Sequence, residues 1–241
     1  MALRHLIVAV QFLTRVPLPA LSEHKPDDLA RATPWFPAAG LVVGAVVTFA
    51  VFVGTLVNSW VAALFGLLAW IWVTGALHLD GLADFTDATA GSHRDKNRFL
   101  EVLKDPHVGA FAVVAIVLQL LAKLVLLQTL VGNSSLVSLV GIPAAARFGP
   151  VVWTRTLPVL ASGLAERCSG SVRRLHLAIG GALIVCAAPA APWLPGSLLL
   201  IGAWWLYLKK RVGGVTGDCH GAGIELVETG LLILAVCFAE L

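Results

Sequence analysis

The stretch WVAALFGLLAWIWVTGALHLDGLADFTD, residues 60–87, decides the fold of this chain of 241 residues. Its first 18 residues carry no charge, and an apolar run of about 20 residues spans the hydrocarbon core of a bilayer as a helix. Three aspartates lie within the ten residues that follow, His78 to Asp87. The stretch therefore predicts a transmembrane helix that leads into an acidic segment.

Composition extends this prediction to the whole chain. Hydrophobic residues make up 58% of it, charged residues 13%, and the mean hydropathy is +0.87, well outside the averages for soluble domains. Apolar stretches of helical length lie at 38–57, 60–77, 110–131, 136–157, 175–190, 197–208 and 226–239. We predict an all-α fold, a polytopic integral membrane helix bundle with about seven transmembrane helices, as a single membrane domain over 1–241.

The first apolar stretch, 3–16, is different from the others. Arg15 interrupts it, and Pro17 and Pro19 close it with a turn. A short apolar segment of this kind favours a position in the membrane interface, or a re-entrant loop, over a full crossing. We therefore predict an N-terminal interfacial or re-entrant segment in addition to the spans.

Lysine and arginine are concentrated in alternate links between the apolar stretches. The links at 58–59, 132–135 and 191–196 contain neither residue, whereas the links on the other side contain several. The positive-inside rule then places the basic links in the cytoplasm. The formal charge of +3 is spread over these links and forms no basic face, so we predict contact with membrane lipid and no nucleic-acid partner.

Six of the fourteen acidic residues fall between Asp80 and Asp105. Asp80, Asp84 and Asp87 stand at i, i+4 and i+7, so a helix that continues from the second apolar stretch would place them within a sector of about 60°. Carboxylates this close repel one another unless a cation joins them. Ligation by oxygen alone favours Mg²⁺, with Mn²⁺ as a substitute, and a phosphate substrate. The alternative is a solvated helix end.

A second acidic link, GGVTGDCHGAGIELVE at 213–228, resembles the first. Asp218 and Glu225 are seven residues apart, so a helix that begins near Asp218 would place both carboxylates on one face. The glycines between them would let backbone N–H groups approach phosphate oxygens; a tight turn between packed helices is the alternative. We predict that links at about 78–109 and 209–225 together form a cytoplasmic catalytic site.

Three cations lie inside apolar stretches, where exposure to lipid would be costly. Arg147 is predicted to bind phosphate or to pair with an aspartate, with phosphate preferred, and Arg155 shares its helical face. For Lys123 a structural pairing is equally plausible. In the first acidic link, Lys104 is the best candidate for a substrate phosphate, although any single cation there also serves as an orientation signal.

Five motifs along the chain resemble the cobalamin synthase family, the adenosylcobinamide-GDP ribazoletransferases. They are FLTRVPLP at 12–19, WFPAAGLVVG at 35–44, HLDGLADFTD at 78–87, LKDPHVGAF at 103–111, and the glycine-rich link at 213–228. Ala88 and the string Gly163-Leu164-Ala165 depart from the family pattern by small-for-small changes. The resemblance implies a bacterial inner-membrane, multi-pass enzyme that requires Mg²⁺ and whose site faces the cytoplasm.

The resemblance also implies roles for particular residues. It implies metal binding at Asp80, Asp84 and Asp87, a catalytic role for these three with Asp218 and Glu225, and substrate contacts at Arg15, Lys104, Arg147, Gly214, Thr216, Gly217 and Gly221. Asp105 and Lys123 also fall on motif positions. The implied reaction joins adenosylcobinamide-GDP to α-ribazole, or to its 5′-phosphate, and releases GMP. An oligomer is possible.

Two other functions remain open from the residues alone. One is a membrane phosphotransferase of the CDP-alcohol type, which also carries aspartates on helix ends. The other is a secondary transporter, because intramembrane acids and interrupted helices also occur there. Transporter carboxylates lie near the bilayer midplane, whereas these are predicted at a helix end.

Overall fold

The computed structural model describes residues 2–19, 21, 25, 27–92, 95–133 and 139–239. Every extended regular element in these ranges is helical, as predicted, and an isolated bridge joins Val159 to Val215. The helices are α1 Ala2–Leu13, α2 Asp28–Ala32, α3 Phe36–Thr55, α4 Ser59–Thr74, α5 Leu77–Gly91, α6 Lys96–Val102, α7 Ala110–Asn133, α8 Gly141–Ala146, α9 Phe148–Thr156, α10 Leu164–Cys168, α11 Arg174–Cys186, α12 Gly196–Tyr207 and α13 Gly217–Ala239.

Three helical segments in the described ranges are long and apolar enough to cross a membrane. They are Asp28–Thr55, which runs from α2 through α3, Ala110–Val131 and Gly217–Ala239, and the bent pair of α4 and α5 makes a fourth if it is one span. Helices α11 and α12 have 13 and 12 residues, short of the roughly 20 that a full crossing needs. The predicted membrane helix bundle is confirmed, while the count of seven full spans is not.

The acidic segment does not continue the preceding helix, and this corrects the sequence prediction. Helix α4 ends at Thr74, and Gly75 and Ala76 both adopt left-handed backbone conformations, with φ of 61° and 60°. Two consecutive left-handed residues break the run of helical hydrogen bonds. Helix α5 then begins at Leu77, bent by 84° from α4. The three aspartates therefore lie on a separate helix.

The apolar stretch at 136–157 is also not one helix. Residues 136–138 lie outside the described residues, and the remainder forms α8 and α9, which meet at Arg147. Pro150 has no N–H to donate to the carbonyl of Ala146, so the helical ladder is interrupted at this point. The break places Arg147, whose side chain is fully buried, at the junction of the two short helices.

Helix α1 packs through Ala9, Val10 and Leu13 against a small apolar cluster that includes Leu29 and Phe36. Its 12 residues are too few to span a bilayer. The interfacial or re-entrant position predicted for this segment agrees with that length and stays a prediction.

Helices α5 and α13 cross at two glycines. A Cβ atom added to Gly81 would lie 3.2 Å from the Cα atom of Gly221, and one added to Gly221 would lie 3.2 Å from the Cα atom of Gly81. Small residues at a crossing allow helix backbones to approach closely within membranes. The contact places the aspartates of α5 beside the first turn of α13.

We expect Gly221→Val to lower the free energy of unfolding by about 1–3 kcal/mol, because overpacked side chains force a closely packed backbone apart. Gly202→Val is the matched control, since no atom lies within 4 Å of a Cβ at this helical glycine. Thermal unfolding of both variants in detergent measures the difference. Equal unfolding temperatures would show that the crossing tolerates a side chain.

Candidate active site

The three aspartates of α5 lie on one face of the helix, the face that is less buried in the bundle. Asp80 is exposed, and Asp84 and Asp87 are half-buried. His78 and Phe85, on the opposite side, are buried in the bundle. The 3.6-residue period therefore separates an acidic face from an apolar face on this helix, as the spacing of the aspartates predicted.

Asp87 joins α5 to the beginning of α7. Its two carboxylate oxygens accept hydrogen bonds from the backbone N–H groups of Gly109, at 2.6 Å, and Ala112, at 2.9 Å. The first N–H groups of a helix have no partner within the helix, so a carboxylate there is stabilising. A Cβ at Gly109 would lie 2.7 Å from Asp87 Oδ1, so a larger residue there would force the Asp87 carboxylate to move.

Asp218 lies in the first turn of α13, which begins at the half-buried Gly217. The Thr216 hydroxyl accepts a hydrogen bond from the Cys219 N–H at 3.3 Å and donates one to the Asp218 carboxylate at 3.3 Å. Thr216 thus caps the helix and orients Asp218. The expected helix beginning near Asp218 is confirmed.

The crossing of α5 and α13 brings four carboxylates together. Asp84 lies within electrostatic range of Asp80, Asp218 and Asp87, and Asp218 lies within range of Asp80. In the described ranges, no lysine or arginine forms an ion pair with any of the four. The mutual repulsion of these anions favours the binding of a cation.

The donor atoms of this cluster fit a hard divalent ion. All four groups supply carboxylate oxygen, which Mg²⁺ and Mn²⁺ prefer. Among the side chains that the structure describes, no group of three or more His, Cys, Asp or Glu is already arranged to hold a metal ion. Residues at i and i+4 of a helix have Cβ atoms about 5–6 Å apart, so Asp80 and Asp84 lie at neighbouring positions on α5.

Two exposed cations predicted to contact substrate lie in links beside these helices. The Arg15 side chain packs on Gly75, at the break just before α5, where a Cβ would clash with it. Lys104 lies in the turn after α6 and is exposed. The neighbouring Asp105 accepts a hydrogen bond from the His107 N–H, which lowers the pKa of that carboxyl, and the His107 side chain lowers it further.

Gly214 and Gly221, both predicted to contact substrate, are buried in packing contacts. A Cβ on Gly214 would clash with the Pro158 carbonyl oxygen and the Leu160 side chain. The adjoining Val215 N–H donates to that carbonyl at 2.9 Å. Close packing accounts for both glycines, at the Pro158 carbonyl for Gly214 and at the helix crossing for Gly221. Their contact with substrate stays a prediction.

Glu225 does not join the carboxylate cluster. It is buried and forms an ion pair with Lys123 at 2.7 Å, and Lys123 also pairs with Glu228 at 2.6 Å. The fully buried Arg147 donates to Glu228 and approaches His78 Nδ1 at 3.3 Å. The structural pairing considered for Lys123 is confirmed, and Arg147 pairs with a glutamate rather than with one of the aspartates.

Comparison with known proteins identifies the family. The family model described as cobalamin-5-phosphate synthase matches residues 5–236. The chain belongs to the cobalamin-5-phosphate synthase family. Similar proteins include the adenosylcobinamide-GDP ribazoletransferases of Novosphingobium aromaticivorans (51% identical over 234 residues, 96% of this chain and 95% of the relative) and Laribacter hongkongensis (49% over 247 residues, 99% of each). The ribazoletransferase of Thiobacillus denitrificans is 47% identical over 234 residues, 97% of this chain and 95% of the relative. No solved structure matches the chain.

Membership of the cobalamin-5-phosphate synthase family makes this chain an enzyme, a transferase of the cobalamin pathway. The resemblance found in the five motifs is thereby confirmed, and the transporter alternative is set aside.

Two members of the buried polar network, Glu228 and Gln119, were not predicted from the sequence. The Gln119 amide donates to Glu225 Oε2 at 2.7 Å and to Thr229 at 2.8 Å. The signal for Glu228 was available, because Lys123 and Arg147, two of the three cations in apolar stretches, require compensating anions and Glu225 alone supplies one. The partner of Arg147 could not be chosen from spacing alone.

Proposed function

We propose that the chain joins adenosylcobinamide-GDP to α-ribazole, or to its 5′-phosphate, with release of GMP, in a reaction that depends on Mg²⁺. The names of the relatives supply the two substrates. The observation that carries the metal dependence is the meeting of Asp80, Asp84, Asp87 and Asp218 at one crossing of two helices, without a cationic side chain of the described residues paired to them.

In the proposed reaction, a ribazole hydroxyl oxygen forms a bond to the phosphorus nearer the cobinamide. The bond from that phosphorus to the bridging oxygen breaks, and GMP leaves with the electron pair. Such a transfer depends on positioning and charge neutralisation more than on covalent help from the protein. When bound, Mg²⁺ or its substitute Mn²⁺ would neutralise the diphosphate and stabilise the leaving group.

The described residues divide these tasks. Asp80, Asp84 and Asp218 would hold the ion, and Asp87, already bound to two N–H groups of the polypeptide, would keep α5 in register with α7 while offering its remaining lone pairs. A carboxylate of the cluster outside the metal shell would accept the hydroxyl proton. Glu225 is occupied by Lys123, so we leave it out of this role. Arg15 and Lys104, both exposed, would pair with phosphate oxygens.

Turnover by purified protein tests this proposal directly. We expect protein supplied with adenosylcobinamide-GDP, α-ribazole and Mg²⁺ to release one GMP for each corrinoid product formed. Chelation should stop turnover, and added Mg²⁺ should restore it. No GMP under conditions where the Novosphingobium relative is active would overturn the reaction, whereas full activity in chelator would overturn only the metal dependence.

We also propose that the site faces the cytoplasm of a bacterial inner membrane, on the basis of the basic links. Asn97 on α6 and Val57 in the link between α3 and α4 are both exposed and lie in links of opposite predicted side. With the four native cysteines replaced by serine, Asn97→Cys should label only after the membrane is made permeable, and Val57→Cys should label in intact cells. The reverse pattern would invert the topology.

A further inference from the structure

A large apolar cleft lies between α5, α7, α12 and α13, on the face of α5 opposite the aspartates. Its volume is about 600 Å³, within the range of sites that bind small organic molecules. Three aromatic rings, Phe85, Trp204 and Tyr207, pack together along one side, with Trp204 and Tyr207 stacked at 5.3 Å. The cleft is therefore a built apolar surface that the proposed phosphoryl chemistry does not use.

The cleft extends along α7 and opens sideways. Its lining on α7 comprises Ala115, Leu118, Gln119 and Ala122. At 1.5 Å per residue, these positions lie about 8–18 Å from the beginning of that span at Ala110. Leu118 is 62% exposed and Leu226, on the α13 side, is 43% exposed. The opening thus lies along an apolar helix surface of the kind that faces lipid in a membrane.

A cationic recess adjoins the cleft at the end that we propose faces the cytoplasm. Thr89 and Tyr207 line both cavities, and the recess also contains Lys96 and Arg211. Asp95 is the acidic side chain of the recess, and it already accepts hydrogen bonds from the N–H groups that begin α6. Two cations are therefore available above an apolar cleft, which complements an amphiphile with an anionic head and a hydrocarbon chain.

We propose that this cleft binds an anionic phospholipid, with its phosphate on Lys96 and Arg211 and an acyl chain between α5 and α7. Charge complementarity selects the head, because juxtamembrane cations attract anionic lipid. The depth of the cleft and its sideways opening toward lipid favour an acyl chain as the other part of the ligand. The bound lipid fills the space beneath α5 and supports the helix that carries the aspartates from the membrane side.

Native mass spectrometry of the detergent-purified protein tests the proposal, with phosphatidylglycerol and phosphatidylcholine of identical acyl chains as probes. We expect one phosphatidylglycerol to be retained in preference to phosphatidylcholine. Lys96→Gln with Arg211→Gln should weaken its retention roughly thirtyfold, from two lost charge contacts. The matched control is Lys209→Gln with Lys210→Gln, which removes equal charge from the same turn outside the recess and should leave retention unchanged.

Occupancy of the cleft itself is tested by filling it. Ala122→Phe should abolish retention, whereas Leu121→Phe on the exposed face of α7 should not; Ala115→Leu serves if Ala122→Phe fails to fold by size-exclusion chromatography. Equal retention of both lipids, or no effect of either filling variant, would overturn the proposal. Displacement of phosphatidylglycerol by adenosylcobinamide-GDP would overturn it too, by assigning the cleft to the substrate.

Discussion

Asp84→Asn is expected to lower kcat/KM by on the order of 1000-fold. A bound metal supplies several kcal/mol of transition-state stabilisation, and each 1.36 kcal/mol is a factor of ten in rate. Asp84 lies within electrostatic range of all three other carboxylates, so its loss should weaken the proposed metal site. GMP release measured across a range of Mg²⁺ concentrations gives both the rate and the metal demand.

Glu101→Gln is the matched control for that variant. It makes the same change from carboxylate to amide on an exposed side chain of α6, whose partner is Arg98 at 3.0 Å. Exposed pairs of this kind contribute about 0–1 kcal/mol, so activity should stay within a fewfold of the parent. Full activity of Asp84→Asn at an unchanged Mg²⁺ requirement would show that the cluster is not the metal site.

Lys123→Met is expected to cause the largest loss of stability. The variant leaves Glu228 paired with Arg147 but leaves Glu225 buried with the neutral Gln119 amide as its side-chain partner. Breaking a buried ion pair in this way costs about 3–5 kcal/mol. For a chain of this length the unfolding temperature should fall by roughly 10 °C. Thermal unfolding in detergent, followed by intrinsic tryptophan fluorescence, measures the change.

A second substitution separates charge from packing. Lys123→Met combined with Glu225→Gln restores the balance of one cation and one anion, so part of the lost stability should return. Lys210→Met, at an exposed lysine, controls for the side-chain change itself. If the double variant is no more stable than Lys123→Met, the lysine stabilises the bundle through its contact with Trp70 and not through charge.

Much of the fold was predictable because apolar runs of helical length leave few alternatives in a membrane. The apolar stretches at 38–57 and 110–131 correspond closely to α3 and α7. The breaks were harder. Gly75 gives a weak signal by itself, and alanine at position 76 gives no signal for the left-handed conformation that it adopts. Pro150 did signal a break, because proline interrupts a helix, but the prediction followed the length of the apolar stretch at 136–157.

The site was predictable to the extent that it depends on helical spacing. The common face of Asp80, Asp84 and Asp87 follows from their separation along α5. The crossing at Gly81 and Gly221 brings Asp218 to these aspartates and leaves Glu225 away from them. This crossing is a tertiary contact. The sequence pattern within 213–228 predicted Asp218 and Glu225 equally as members of the site.

The buried ion network has a consequence for how the chain is assembled. Glu225 and Glu228 lie about 12–17 Å along α13 from its beginning, at 1.5 Å per residue, where an uncompensated charge is costly in lipid. Their partners, Lys123 and Arg147, are synthesised earlier. Helix α13 should therefore enter the bilayer beside α7 and α8 already in place. Insertion of α13 then completes both the buried ion network and the carboxylate cluster, which is absent until that step.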